Sequence, residues 1–275
     1  MTTMLRPLSA GELLDRAFNL YRNNFVLFAG IMLPPQILLF AGIVWTYYPL
    51  EHATSAYDLL AAFDGIIGRG ILSTLSYSVS TALGQAAIMY AVSQLYVDRH
   101  PSIWESYKSA TQRFWPVIGV GILVSIGICI GIVAIIIGAI IVYIFSVLAI
   151  PVVVLEKLEA IAALRRSITL VRGSVWRIAL ICVVFIAVSY AVKLLVGVPI
   201  LGVLLAFPSA RTATVSLLVQ QVSIFITQVL TSPLLFIAIS ILYYDQRVRK
   251  EALDLMNLNA TDLSVAKNNP AQFPE

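Results

Sequence analysis

Charged side chains are scarce in this sequence. Asp, Glu, Lys and Arg make up 12% of its 275 residues, whereas hydrophobic residues make up 60%. A soluble domain carries about twice that share of charge. Several long stretches contain no charged residue at all, namely 23–50, 70–97, 114–155, 178–192 and 212–244. Because a helix needs about 20 apolar residues to cross a bilayer, the composition argues against a soluble globular domain and predicts an all-α polytopic membrane protein.

Residues that build metal, redox and catalytic sites are also few. Cys129 and Cys182 both lie in apolar stretches, where we expect small packing residues rather than a disulfide or metal site. His52 and His100 are predicted to lie on opposite sides of the membrane, so they cannot share a metal or a catalytic triad. The sequence contains no phosphate-binding glycine loop, nucleophile elbow or zinc-protease motif. We therefore expect no enzyme activity and no cofactor or metal.

The charge-free stretches predict six transmembrane helices. Most of them hold one span, but the 42 residues of 114–155 would form a helix about 63 Å long, roughly twice the hydrocarbon thickness. That stretch is therefore predicted to form two spans that turn near Gly138. The predicted spans are 25–45, 70–96, 116–137, 139–155, 175–196 and 213–243.

The positive charge is distributed unevenly across this six-span arrangement. Of the 18 Lys and Arg residues, all but Arg69, Lys193 and Arg211 fall on the side that holds both termini. Cytoplasmic loops of membrane proteins are enriched in Lys and Arg. Both termini are therefore predicted to be cytoplasmic. The first apolar run follows a charged segment and is long enough to span, so we expect a retained anchor rather than a cleaved signal peptide.

Three amphipathic segments each precede a pair of predicted spans. The first two begin with the spacing of a capping box, Ser9 with Glu12 and Ser102 with Glu105, and the third ends at Gly173. Their apolar stripes are predicted to be Leu14, Ala17, Phe18 and Tyr21; Ile103, Tyr107, Ala110 and Phe114; and Ile161, Leu164, Ile168 and Val171. These patterns predict three interfacial helices on the cytoplasmic side, with basic faces that attract anionic lipid headgroups. The arginines expected to contact lipid are Arg16, Arg22, Arg113, Arg165, Arg166, Arg172 and Arg177.

The domain organisation follows from these elements. One membrane domain is predicted over 1–255, built from the units 9–97, 102–155 and 158–244, each an amphipathic helix followed by two spans. The polar segment 256–275 is predicted to be a disordered cytoplasmic tail. The three units are either a true internal repeat or three independent instances of the same arrangement, and the sequence leaves both possibilities open.

Polar residues line the second and sixth predicted spans in helical rows. They form either a face for packing helices through hydrogen bonds, which we favour, or a polar path near the midplane. The second span contributes Ser73, Thr74, Tyr77, Ser78, Thr81 and Gln85, and the sixth contributes Gln220, Gln221, Thr227, Gln228 and Thr231. Pro34 and Pro35 are expected to interrupt the first span and Pro233 the sixth, leaving carbonyl groups that need partners.

Three segments carry a resemblance to a known group of proteins. LSAGELLDRAFNLYRNNF, AIPVVVLEKLEAIAALRRSITLVRGSVWRIALI and ILYYDQRVRKEALDL together resemble bacterial membrane proteins related to the membrane domain of glycerophosphoryl diester phosphodiesterases. The resemblance extends over nearly the whole chain and implies a six-helix fold in the bacterial inner (cell) membrane. The chain has no room for the catalytic domain, so it does not imply phosphodiesterase activity.

Two functions remain open on the sequence. The favoured one is a non-enzymatic accessory, regulatory or assembly component of the cell envelope, because no ion-coupling or energy-coupling motif is visible. Its partners would be anionic membrane lipids and another membrane protein, and not nucleic acid. The alternative is a transporter of lipid or small amphiphile through a polar path between the second and sixth spans.

Overall fold

The computed structural model describes residues 8–51, 55–133, 136–206 and 213–268. Regular structure within these ranges is entirely helical, so the predicted all-α class is confirmed. The helices are α1 (Ala10–Asn23), α2 (Phe25–Glu51), α3 (Ala56–Leu95), α4 (Ile103–Thr111), α5 (Phe114–Val133), α6 (Ile136–Ser146), α7 (Ala149–Leu155), α8 (Ala160–Val171), α9 (Val175–Ala206) and α10 (Ala213–Asn268).

Fewer helices than predicted are long and apolar enough to cross a membrane. Within the described ranges, four segments qualify by length and composition: Phe25–Tyr47, Gly138–Leu155, Val175–Gly202 and Leu218–Lys250. A fifth is obtained if α4 and α5, which meet at 76°, count as one broken span. The prediction of six spans is therefore not confirmed. The predicted span 116–137 counts only as part of this bent pair. The predicted span 70–96 lies in α3, whose many hydroxyl and amide side chains lower its hydropathy and which is not among the qualifying segments.

The charge-free stretch 114–155 folds into a hairpin of α5 and α6. The two helices run antiparallel and approach most closely at glycines. A Cβ atom added to Gly131 would lie 2.5 Å from the backbone nitrogen of Ala139, and one added to Gly127 would lie 3.0 Å from the side-chain Cγ1 of Val142. Only glycine permits backbones to come this close.

Helix α10 corrects two predictions. It runs without a break to Asn268, so residues 256–268 are helical rather than a disordered tail, and 269–275 lie outside the described residues. Its sequence contains no glycine or proline after Pro233, so nothing ends the helix. Pro233 itself lies inside the helix, and α2 likewise continues through Pro34 and Pro35. The prolines therefore do not interrupt the helices; each removes one backbone donor.

The short helices α1, α4 and α8 pack into the bundle through small side chains. Capping boxes start two of them as predicted, with the Ser9 hydroxyl 3.2 Å from the Glu12 nitrogen and the Ser102 hydroxyl 3.1 Å from the Glu105 nitrogen. Gly173 ends α8 with a φ of 91°, a conformation that favours glycine. The buried residues of the three helices are Leu13 and Ala17 of α1, Ser106 and Ala110 of α4, and Ala163, Ser167, Leu170 and Val171 of α8.

The predicted apolar stripes match these buried faces only in part. On α8, Val171 is buried, but Ile161 and Ile168 are exposed, and Phe18 of α1 is exposed as well. Helices in apolar surroundings pack through small residues that allow close approach, and they can leave large aliphatic side chains outside. The buried faces therefore share Ala17, Ala110 and Val171 with the predicted stripes and otherwise consist of the residues beside them.

Several helices meet at one end of the bundle, which we call the charged end. The Tyr96 ring, just after α3, contacts the ring of Tyr244 of α10 at a centroid distance of 5.5 Å. The Tyr243 hydroxyl reaches Glu156, which follows α7. Close to this end lie many of the fully buried side chains, among them Met89, Leu148, Ile178 and Ile237.

Candidate functional site

The most concentrated polar chemistry lies at the charged end, around the carboxylate of Asp245. Its side chain is 0% exposed. Arg177 approaches Oδ2 to 2.6 Å and Arg249 approaches it to 3.0 Å, while the backbone nitrogen of Leu8 donates to Oδ1 over 2.7 Å. Both arginines also donate to the Leu8 carbonyl. This Asp245 cluster joins the chain before α1 to α9 and α10.

A second ion pair lies nearby and is built around Glu156. The Nε of Arg166 lies 3.2 Å from a carboxylate oxygen of Glu156, and the Tyr243 hydroxyl donates to that carboxylate over 2.9 Å. The Arg166 and Glu156 side chains are partly exposed, at 32% and 17%. Asp245 is thus held by two arginines, and Glu156 by an arginine and a tyrosine hydroxyl.

The seven arginines predicted to contact lipid fall into two groups. Arg177 and Arg166 are engaged with Asp245 and Glu156, and Arg113 lies 3.5 Å from the Lys157 carbonyl oxygen. Arg16 is half-buried and lines a small cavity with Tyr96. The remaining three, Arg22, Arg165 and Arg172, are exposed and form no side-chain hydrogen bond or ion pair within the described part of the chain.

Each of α1, α4 and α8 donates a side-chain hydroxyl to a backbone carbonyl of another helix. Tyr107 of α4 donates to the Ile31 carbonyl over 2.5 Å, and Ile31 lies four residues before Pro35, which has no N–H to offer it. Ser167 of α8 donates over 2.7 Å to the carbonyl of Phe145, in the last turn of α6. These bonds satisfy carbonyl groups that the helices themselves leave without a donor.

Tyr21 of α1 makes the corresponding bond to α10. Its hydroxyl donates to the Leu230 carbonyl over 2.8 Å, three residues before Pro233. Burial raises the pKa of Tyr21 to about 12, because the phenolate would be poorly solvated there. The hydroxyl therefore remains a donor at neutral pH.

The polar row of α3 lines a cavity of about 280 Å³ between α3, α5, α6 and α10. Tyr77, Ser78, Thr81 and Gln85 form its polar wall, and Ser125 and Ser146 face it from the other helices. The two upstream members of the row are elsewhere: Ser73 lies 3.5 Å from Thr46 of α2, and Thr74 is exposed.

The polar row of α10 does not face this cavity. The wall that α10 contributes there is apolar and consists of Phe236 and Ile239. Thr227 and Thr231 are buried elsewhere along α10, Gln221 and Gln228 are half-buried, and Gln220 is exposed. The cavity beside α3 is therefore not lined by the polar row predicted on the sixth span.

Some buried polar atoms have no partner within the described residues. The Gln36 side chain, beside Pro35, is 1% exposed and neither its amide nitrogen nor its oxygen is hydrogen-bonded. The hydroxyl oxygens of Thr81 and Thr227 are also buried without a hydrogen-bond partner among these residues. No group of three His, Cys, Asp or Glu residues that could hold a metal occurs in the described ranges. His52 lies outside them, and Cys182 is a free, buried thiol.

The Asp245 cluster was missed by reasoning from the sequence, although a signal was present. Asp245 is the only acidic residue between 212 and 250, and it follows an apolar run closely. A charge at that position either reaches water or finds a basic partner. Its partner Arg177 was instead assigned to lipid.

Comparisons with known proteins identify the family but no activity. No curated protein and no solved structure matches the chain. The resemblance to the membrane domain of glycerophosphoryl diester phosphodiesterases finds no support in these comparisons. The family that matches residues 8–247 is described as "Domain of unknown function (DUF7847)", and the chain belongs to this family.

Proposed function

We propose that the chain is a non-enzymatic accessory or assembly component of the cell envelope, with six spans and both termini in the cytoplasm of a bacterial inner membrane. The charged end would then be its cytoplasmic face. The observation that carries this proposal is the division of charge there. Asp245 and Glu156 both form ion pairs with arginines. Arg165 and Arg172 are exposed on α8 and at its C-terminal end, so their positive charge is available to a ligand outside the protein.

An exposed basic face of this kind attracts anionic headgroups. Each Lys or Arg near an anionic membrane surface contributes about 1 kcal/mol to binding. Ile161 and Ile168 are exposed on the same helix, so α8 offers aliphatic side chains to the acyl region as well. We infer that α8 anchors the cytoplasmic face on anionic lipid, while the buried ion pairs keep the helices in a fixed arrangement for a membrane-protein partner.

The test compares anionic with zwitterionic lipid. The purified protein in detergent is titrated with phosphatidylglycerol or phosphatidylcholine, and thermal stability is followed. Phosphatidylglycerol should stabilise the wild type more, and R165Q/R172Q should lose about 2 kcal/mol of that preference. The matched control is K193Q, which removes an exposed charge on α9 far from the charged end. A double variant with the wild-type preference would refute the proposal.

A second candidate function is transport of a lipid or small amphiphile. The cavity beside α3 supports it, because Tyr77, Ser78, Thr81 and Gln85 offer uncharged hydrogen-bonding groups within a largely apolar bundle. This path would run between α3, α5 and α6 rather than between α3 and the polar row of α10.

Fluorescent-lipid scrambling in proteoliposomes separates the two functions. A transporter accelerates exchange between leaflets, and Q85L, which alters the cavity wall, abolishes that exchange. The control Q220L changes an exposed glutamine of α10 that does not line the cavity. Transport is favoured if the wild type and Q220L scramble lipid and Q85L does not. The accessory role is favoured if the wild type exchanges lipid no faster than empty vesicles.

A further inference from the structure

A groove of about 480 Å³ lies between α1, α9 and α10, away from the cavity beside α3. Its charged and amide side chains come from α1, namely Asp15, Asn19 and Arg22, and Thr231 of α10 adds a hydroxyl. Its apolar lining comes mainly from α2, α9 and α10, with Phe25, Val188, Val192, Leu230 and Leu234, and Phe18 of α1 adds one ring. The groove therefore has a charged part and an apolar part, which is the division found in an amphiphilic ligand.

The order of these groups follows from how α1 runs along α10. Leu8, just before α1, is bound to Asp245, and Tyr21 is bound to the carbonyl of Leu230. Fifteen residues of helix separate these two positions on α10, a rise of about 22 Å. Helix α1 therefore runs alongside α10 from the charged end into the bundle. Along the groove, Asp15 comes first, Arg22 lies deeper, and Phe25 with the aliphatic wall follows.

The two charges at the mouth of the groove are opposite and unpaired. Asp15 and Arg22 are seven residues apart on α1, about 10 Å along the helix axis, so both face the groove but do not meet. Neither side chain forms a hydrogen bond or an ion pair within the described part of the chain. A ligand that fits must bring a cation to Asp15 and an anion to Arg22.

We propose that this groove binds a zwitterionic phospholipid with a primary ammonium group, such as phosphatidylethanolamine, in the leaflet at the charged end. From the water inward, such a lipid presents its ammonium, its phosphate and then its acyl chains. The groove presents an acid, a base and an apolar wall in the same order. The ammonium donates hydrogen bonds to Asp15, the phosphate accepts them from Arg22, and an acyl chain lies along Val188 and Leu230.

Asp15 is expected to select a lipid with a primary ammonium group over other lipids. A quaternary ammonium, as in phosphatidylcholine, carries the same charge but has no N–H to donate to a carboxylate. An anionic lipid without an amine gains the contact to Arg22 but brings negative charge close to Asp15. The site rests on insertion of the chain in a membrane, as the proposed function does, but it does not involve Arg165 or Arg172.

The experiment measures lipid retained by the purified full-length protein. Nanodiscs are formed with equal amounts of phosphatidylethanolamine and phosphatidylcholine of identical acyl chains, and lipids that remain after transfer to detergent are counted by native mass spectrometry. The wild type should retain one phosphatidylethanolamine with a preference of about tenfold. D15N should abolish the preference, and R22Q should weaken retention of both lipids.

Two controls separate this site from the rest of the proposal. E159Q removes an exposed carboxylate at the start of α8 and should keep the preference. R165Q/R172Q tests the proposed anionic-lipid face and should leave the phosphatidylethanolamine preference unchanged. Three results would overturn the groove assignment. The wild type could retain both lipids equally, D15N could keep the wild-type preference, or D15N and E159Q could lose the preference to the same extent.

Discussion

The guanidinium of Arg177, at the start of α9, donates to the carboxylate of Asp245, near the charged end of α10, over 2.6 Å. The same carboxylate accepts the Leu8 backbone N–H, so one buried acid connects three distant parts of the chain. A buried carboxylate is stable only with this kind of compensation, because burial deprives it of water. The arginines at this end thus have a structural task besides any contact with lipid.

We predict that D245N strongly destabilises the protein. The asparagine has nearly the same shape but leaves Arg177 and Arg249 without their counter-charge, and loss of one partner of a buried pair costs about 3–5 kcal/mol. The measurement is thermal unfolding of the purified variant in a fixed detergent. D98N is the matched control, since Asp98 is exposed and its φ of 56° suits asparagine. Equal melting temperatures for D245N and D98N would contradict the structural role.

The bond between Tyr107 and the Ile31 carbonyl leads to a prediction about a pair of residues. Y107F should lower stability by about 1 kcal/mol, because a carbonyl that lacks the N–H of Pro35 then loses its remaining donor. P35A restores that N–H, so Y107F should cost clearly less in a P35A background. A double-mutant cycle by thermal unfolding measures this coupling. Y90F is the control, since no partner of the Tyr90 hydroxyl occurs in the described part of the chain; additive effects would contradict the account.

The sequence predicts the helical class and the starts of the short helices well, because these depend on local patterns. The capping serines Ser9 and Ser102 lie next to the residues they cap, and Gly173 adopts the conformation that only glycine adopts readily. Each feature involves residues a few positions apart. Periodicity and capping rules are therefore sufficient.

The contacts between helices could not be predicted in the same way. Asp245 and Arg177 are separated by 68 positions, and the orientation of α8 depends on which neighbours cover Ala163 and Ser167. A bilayer accepts exposed Ile161 and Ile168, so hydrophobicity alone does not identify the buried face. For the same reason the polar rows of α3 and α10 could be recognised on each helix, but not which helices they face.

The raised pKa of Tyr21 predicts a dependence of stability on alkaline pH. Its pKa is about 12 in the folded protein and about 10 when unfolded, so between these values the folded state holds the proton that the unfolded state has lost. Stability should therefore fall as pH rises from 10 to 12, and Y21F should show a shallower fall. The measurement is the difference in melting temperature between Y21F and wild type across this range. Y57F, at an 80% exposed tyrosine, is the control, and identical slopes for Y21F and wild type would contradict the prediction.

The α5–α6 hairpin predicts a sharp difference between two glycines. G131A should destabilise the protein, because the added methyl group would lie 2.5 Å from the Ala139 nitrogen and the backbones would have to separate. G121A meets nothing within 4 Å and should be neutral or slightly stabilising, since alanine favours helix. Thermal unfolding of the two variants gives the comparison. A G131A variant as stable as G121A would show that the hairpin is looser than described.

The proposed function depends most on the charged end facing the cytoplasm, since α8 is proposed to anchor the cytoplasmic face on anionic lipid. The direct measurement is cysteine labelling with a membrane-impermeant maleimide in intact cells, in a background where Cys129 and Cys182 are replaced by serine. Two reporters are introduced, Glu159→Cys at the charged end and Tyr57→Cys near the opposite end of α3. The account predicts immediate labelling at position 57 and labelling at 159 only after permeabilisation. Labelling of 159 in intact cells, or of both positions from one side, would contradict it.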